Sequence, residues 1–191
     1  MLDNAYWSGR YQANQIGWDA GAITTPLKEY FDQLSDKEIK ILIPGAGNSY
    51  EAGYLYERGF KNVFVCDFAQ EPLDNFQFKY PGFNSENLLL KDFFELEGDY
   101  DLIVEQTFFC AIDRRLRLKY VEKVHNLLKQ GGKLVGLLWK DEFDGGPPFG
   151  GSEDEYNRLF EPYFEFEVFE ESYNSIKPRS GRELFVNFKK R

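Results

Sequence analysis

One stretch of the chain constrains its fold more than any other: Ile39-Lys40-Ile41-Leu42-Ile43 runs straight into Pro44-Gly45-Ala46-Gly47-Asn48. A short β-rich run that breaks at two glycines and gives way to amphipathic sequence predicts a strand, a tight turn and a helix. Glycine in such a turn lets backbone N–H groups come close to a ligand, where a Cβ would obstruct the approach. Asn48 with Glu51 predicts a capping box that opens a helix to about Arg58, with Gly59 as its end. A second strand, Asn62-Val63-Phe64-Val65-Cys66, closes at Asp67, 20 residues beyond Gly47. A carboxylate at that place can accept hydrogen bonds from both hydroxyls of a ribose.

The same alternation continues along the chain. A helix is predicted after Glu71-Pro72, a third strand over Leu88–Leu90 ending at Lys91-Asp92, and a fourth from Asp101 through Val104 into Thr107-Phe108-Phe109. Apolar residues at Leu116, Tyr120, Val121, Val124, Leu127 and Leu128 predict a helix over about 115–129. Gly131-Gly132 is expected to stop it before a fifth strand, Lys133–Trp139. Ser152 with Glu155 predicts another capping box, opening a helix through Phe160, and the segments 164–169 and 183–188 predict a terminal antiparallel pair. Ahead of all this, Thr25-Pro26 reads as an N-cap and first helical residue leading into Leu27, Tyr30, Phe31 and Leu34. The expectation is an α/β fold in a single domain, 1–191, with 1–35 as a helical arm and a largely parallel sheet covered on both faces.

A glycine turn followed by an acidic strand end suits either a nicotinamide dinucleotide or S-adenosylmethionine. In the dinucleotide fingerprint the third glycine would fall at position 50, where this chain has Tyr50. S-adenosylmethionine carries no pyrophosphate, so its site tolerates the bulkier residue, and Asp92 is placed to receive an adenine amino group. A nicotinamide-dependent oxidoreductase is disfavoured on that ground. The blander alternative is that the glycines only make a tight turn and Asp67 only caps a helix. With 32 acidic against 23 basic residues, the net charge of −9 argues against nucleic acid as a partner. Two cysteines, Cys66 and Cys110, read as free thiols in a reducing cytoplasm, and the start of the chain lacks the pattern of a signal peptide. No metal and no membrane span are expected.

More specific are Trp7-Ser8-Gly9-Arg10-Tyr11 with Ile16-Gly17-Trp18-Asp19, the block Phe108-Phe109-Cys110-Ala111-Ile112, and Gly145-Gly146-Pro147-Pro148-Phe149. Together with Pro44–Gly47, and in this order, they resemble the thiopurine S-methyltransferase family, which includes halide, thiocyanate and thiol methyltransferases. The resemblance implies a Rossmann-like seven-stranded methyltransferase sheet with helices on both faces, an N-terminal helical lid, and S-adenosyl-L-methionine as cofactor. It implies that Trp7, Tyr11 and Trp18 line the cofactor pocket, that Gly45 meets the methionine end with Gly47 in the same cofactor-binding turn, and that Asp67 takes the ribose. Asp92 and Phe93 would lie beside the adenine, and Gln106 would be a further contact, where relatives often carry an aromatic residue or arginine. Tyr11 stands where some relatives have tryptophan.

Physical chemistry agrees with these roles. A sulfonium is a cation with little hydrogen-bonding capacity, and aromatic faces suit it. Trp7, Tyr11 and Trp18 could equally clamp the arm in place. The acceptor pocket is expected from Phe108, Phe109, Pro147, Pro148 and Phe149, the loop acting as a lid. The partner is a small-molecule acceptor: a thiol, a thiopurine or a soft anion. Displacement from a sulfonium needs alignment and exclusion of water, and a thiolate needs no base. Glu105, at the end of the fourth strand, is the candidate base if one is used. His125 reads as structural or solvated, Cys110 as a small buried hydrophobe, and Arg114, Arg115 and Arg117 as a solvated face. Arg179 and Arg182 could attract an anionic acceptor.

Overall fold

The computed structural model describes residues 2, 4–13, 15–45 and 47–191. Ala46 of the glycine turn and Met1 and Asp3 of the amino-terminal segment lie outside them. The chain divides into two compact units, Met1–Leu96 and Glu97–Arg191.

In the first unit the helices are α1 (Asn4–Gln12), α2 (Thr25–Asp32), α3 (Tyr50–Glu57) and α4 (Gln70–Lys79). Its strands β1 (Ile41–Pro44), β2 (Val63–Asp67) and β3 (Leu88–Leu90) pair in parallel, with β2 between the other two. All four residues of β1 are buried. That pattern requires cover on both faces of the strand and explains why Ile41, Leu42 and Ile43 are apolar without alternation. Two helix starts differ from expectation by local chemistry. Thr24, not Thr25, is the N-cap of α2, with Pro26 in the first turn, and Leu34 falls beyond the helix. α3 begins after Ser49, which adopts φ 47, and no side chain caps it; the Asn48 amide is used elsewhere.

The second unit contains β4 (Tyr100–Gln106), α5 (Arg117–Leu127), β5 (Leu128–Trp139), α6 (Glu153–Phe160), β6 (Phe164–Glu171) and β7 (Glu183–Lys190). β4 and β5 are parallel, while β7 pairs antiparallel with both β5 and β6. The terminal antiparallel pair is therefore as the alternation predicts. Ser152 caps α6 by accepting from the Glu155 N–H at 3.3 Å. The helix before the fifth strand ends at Leu127, and Gly131 and Gly132 lie inside β5 rather than ahead of it. A Cβ at Gly132 would stand 3.0–3.2 Å from the carbonyls of Lys129, Tyr100 and Asp101, so these residues bring the start of β5 close to β4 and do not serve as a helix stop.

Much of the aromatic content packs the core of this unit. Phe109 stands edge-on to Tyr120 at 5.0 Å and lies 5.8 Å from both Tyr156 and Phe160; Phe160 then meets Phe188 at 5.2 Å. Ring pairs in these geometries add to the apolar burial. Among the described residues no helix is long and apolar enough to cross a membrane.

Candidate active site

In the first unit the rings of Trp7, Tyr11 and Trp18 meet, and Gly47 and Asp67 lie near Tyr11. Trp18 is the centre of the arm's ring cluster, edge-on to Trp7 at 5.4 Å and to Tyr11 at 5.9 Å. α1 buries no residue fully, so these rings are half-exposed and leave faces accessible. The arm is tied down polarly. Glu71, at the start of α4, accepts from Ser8 Oγ at 3.0 Å and from Gln12 Nε2 at 2.9 Å. Asp19 accepts from the Asn48 amide, from Tyr50 Oη at 3.2 Å and from the Gly21 N–H at 2.8 Å. Tyr50, the residue that breaks the dinucleotide fingerprint, thus helps hold the arm.

After β1, Gly45 and Gly47 adopt φ 67 and 50, the left-handed region that favours glycine. A Cβ at Gly47 would lie 3.7 Å from Tyr11 Oη, so the turn and the arm face each other closely. Burial, followed by the charges of Asp67 and Asp19, raises the Tyr11 phenol well above its usual range, so it stays a neutral donor. Asp67, partly exposed at the end of β2, accepts through Oδ1 from the Ala69 N–H at 2.8 Å. Asp92 is exposed and accepts from the Phe94 N–H at 2.8 Å, while Phe93 is only 3% exposed, its ring 5.5 Å from Phe94. Glycine turn, ring cluster and acidic strand end thus occur in one unit, and their donor chemistry fits an adenosyl sulfonium: rings for the cation, carboxylates for hydroxyl or amino hydrogens.

In the second unit the end of β4 departs from expectation. The strand stops at Gln106, and Thr107 takes φ 60, an uncommon conformation for a β-branched residue. Glu105 lies beneath this turn. Its Oε1 accepts from the N–H groups of both Phe108 and Phe109 at 2.8 Å, and its Oε2 accepts from Tyr120 Oη at 2.5 Å. Gly136 of β5 lies opposite, and a Cβ there would come within 2.5 Å of the Glu105 Cβ. Glu105 is 1% exposed, and burial pushes its carboxyl up to about 7 against the pull of these three donors. The side chain expected to face a cleft as a base instead organises the turn from within.

Phe109 likewise belongs to the aromatic core, while Phe108 is half-buried. Gln106 Oε1 is buried with no hydrogen-bond donor from the protein, so it could accept from a ligand. Cys110 is buried, its thiol 3.3 Å from the Thr107 carbonyl and pushed up to about 12 by burial, consistent with an inert small residue. In the loop that follows β5, Gly145 and Gly146 have φ 81 and 154, and the Gly146–Pro147 and Pro147–Pro148 bonds are cis. A Cβ at Gly146 would strike the Phe149 ring at 2.3 Å.

Two readings of basic residues are corrected. Arg117 is no part of a solvated face: it is 1% exposed and donates to Glu155 Oε1 at 2.7 Å. It lies at helical spacing with Tyr120, Val121 and Val124, and that phase was the signal of its burial. Arg179 is 6% exposed and paired with Glu183 at 3.2 Å, its guanidinium 5.5 Å from the Trp139 ring. Arg182 lies 5.2 Å from the same ring and pairs with Asp141.

Comparison with known proteins gives these features their context. The thiopurine S-methyltransferase family model matches residues 2–189. A probable thiol methyltransferase 2 of Arabidopsis thaliana is 29% identical over 191 residues, covering 96% of this chain and 84% of that protein. Thiocyanate methyltransferase 1 of Brassica oleracea is 26% identical over 195 residues, covering 99% and 86%. Among solved structures, the Burkholderia thailandensis 1,6-didemethyltoxoflavin-N1-methyltransferase with bound S-adenosylhomocysteine superposes with a TM-score of 0.78 at 17% identity, over 99% of this chain and 87% of that one. That likeness shows the fold, the mixed seven-stranded Rossmann-like sheet of methyltransferases. The chain belongs to the thiopurine S-methyltransferase family and is an S-adenosylmethionine-dependent methyltransferase.

Proposed function

We propose that this enzyme methylates the sulfur of a small thiol or thiopurine, or a soft anion such as thiocyanate or a halide. The observation that carries the reading is the state of the acceptor-side titratable groups. Glu105 has both oxygens engaged inside the second unit, and Cys110 is buried with its thiol near 12. A nucleophile that is already anionic near neutral pH, or a thiol that readily becomes so, needs no base from these residues. The names of the plant relatives, thiol and thiocyanate methyltransferases, support the same class.

In this reading Trp7, Tyr11 and Trp18 hold the sulfonium end of the donor. Gly45 and Gly47 admit its methionine part, Asp67 accepts from the ribose, and Asp92 and Phe93 attend the adenine. Gln106 offers its unpartnered carbonyl oxygen as a further acceptor. Phe108 and the Gly145–Phe149 loop exclude water from the methyl acceptor, and Phe109 supports them from the core. Bound S-adenosylmethionine supplies an activated methyl group: a new acceptor–carbon bond forms as the sulfonium S–C bond breaks, leaving neutral S-adenosylhomocysteine and, with a thiolate acceptor, no proton to remove. Two free, buried thiols suit a reducing cytoplasm.

The test is a panel of aliphatic thiols, aromatic thiols, thiopurines, iodide and thiocyanate, with methylated product read by mass spectrometry. Turnover of at least one sulfur or soft-anion acceptor is expected. Turnover confined to oxygen or nitrogen acceptors would reject the reading.

A further inference from the structure

The loop assigned above to the acceptor is held by a side chain on a different element. Arg117 opens α5, and its guanidinium is buried among three segments of the second unit. Nη2 donates to the Phe149 carbonyl at 3.1 Å and to the Gly150 carbonyl at 2.8 Å, while Nη1 donates to Glu155 of α6 at 2.7 Å. Its Cζ lies 4.8 Å from the centre of the Phe109 ring, in the turn after β4. Arg114 adds a second donor to the Gly150 carbonyl at 3.0 Å, and the Phe149 N–H donates to the Cys110 carbonyl at 2.6 Å.

These bonds gather at the C-terminal end of the loop and leave its glycine tip, Gly145–Gly146, exposed. The backbone is also closed in at that anchored end: a Cβ at Gly150 would stand 2.0 Å from the Asp141 carbonyl. A buried guanidinium is costly unless its geometry is well matched, and here a planar fork meets two successive carbonyls and a carboxylate at once. Lysine could carry the charge but could not span that set.

We propose that Arg117 is a positioning residue for the methyl acceptor, fixing the Gly145–Phe149 loop to the turn after β4. This rests on the assignment of that loop to the acceptor. Loss of the fork lets the loop move, so acceptor binding weakens while donor binding, which uses residues of the first unit and Gln106 and none that Arg117 bonds, does not.

The test compares the full-length enzyme with Arg117→Lys. One readout is KM for the preferred acceptor and for S-adenosylmethionine; the other is amide hydrogen exchange in peptides covering 141–151 and 41–67. The expected result is an acceptor KM raised about tenfold or more, an unchanged donor KM, and faster exchange confined to 141–151. An unchanged acceptor KM, or equal weakening of donor and acceptor, would overturn the proposal. Unchanged exchange in 141–151 would do so as well. If Arg117→Lys does not fold, Arg114→Gln, on an exposed side chain sharing the Gly150 carbonyl, is expected to show the same pattern in smaller measure, and its absence counts against the proposal. Should the wild-type enzyme methylate no sulfur or soft-anion acceptor, the acceptor class falls, yet the exchange comparison still decides whether Arg117 holds the loop.

Discussion

Replacing Glu105 by glutamine isolates the cost of keeping a carboxylate inside the second unit. The side chain is 1% exposed and accepts three hydrogen bonds, yet burial lifts its carboxyl from 4.5 to about 7. The folded state therefore binds this proton more tightly than the unfolded chain does. Stability from this group is greatest below 4.5, declines as pH rises through the window from 4.5 to about 7, and is level above it. At 1.36 kcal/mol per pH unit, the full decline is about 3 kcal/mol, most of it between pH 5 and pH 8. Glu105→Gln keeps one carbonyl oxygen for the Phe108 and Phe109 N–H groups and removes the titration. Its stability relative to wild type should accordingly rise by roughly 2–3 kcal/mol between pH 5 and pH 8, whatever the fixed cost of the altered bond to Tyr120. Urea unfolding of both proteins at the two pH values measures this difference, because all other titrations are shared. A pH-independent difference would refute the reasoning, and so would one that shrinks toward pH 8.

Trp18→Ala removes both edge-on ring contacts of the arm, with Trp7 and Tyr11. Affinity for S-adenosylhomocysteine, read by calorimetry, should fall by about tenfold or more, because the rings expected to line the donor lose the partner that orients them. Phe109→Ala should instead cost about 3–5 kcal/mol of unfolding free energy, because the ring is enclosed by Tyr120, Tyr156 and Phe160; denaturant unfolding would show it. Cys110, buried and pushed up to about 12, should resist alkylation by iodoacetamide at pH 8 in the native enzyme and react once the chain is unfolded. Mass spectrometry of the modified peptide reads both states.

The parts of the fold that were legible in the sequence are those fixed by local patterning. β1 is an apolar run with both faces covered, and the turn after it needs glycine at positive φ, so Ile41–Gly47 could be placed from residue types alone. The same holds for the Ser152 cap and the alternating β6 and β7. What escaped depends on how the chain turns and on which partners it meets once folded. Glu105 looked like a base at a strand end because its donors, the Phe108 and Phe109 N–H groups and Tyr120 Oη, become partners only when the chain turns back after β4. Arg117 looked solvated because charge usually is, and its carbonyl acceptors lie 32 and 33 residues away. Asn48 fits a capping sequence, but Asp19 of the arm claims its amide. A buried polar group is explained by its geometry, and sequence spacing alone does not supply that geometry.

The central claim is that the first unit holds an adenosyl sulfonium through Asp67 and the arm's rings, and calorimetric titration of S-adenosylhomocysteine into wild type and Asp67→Ala tests it most directly. The account predicts one-to-one binding by wild type and an affinity weakened about tenfold or more in the variant, as expected for losing hydrogen bonds to a charged acceptor at about 1.5–3 kcal/mol each. Equal affinity in the two proteins, or no binding by wild type, would contradict it.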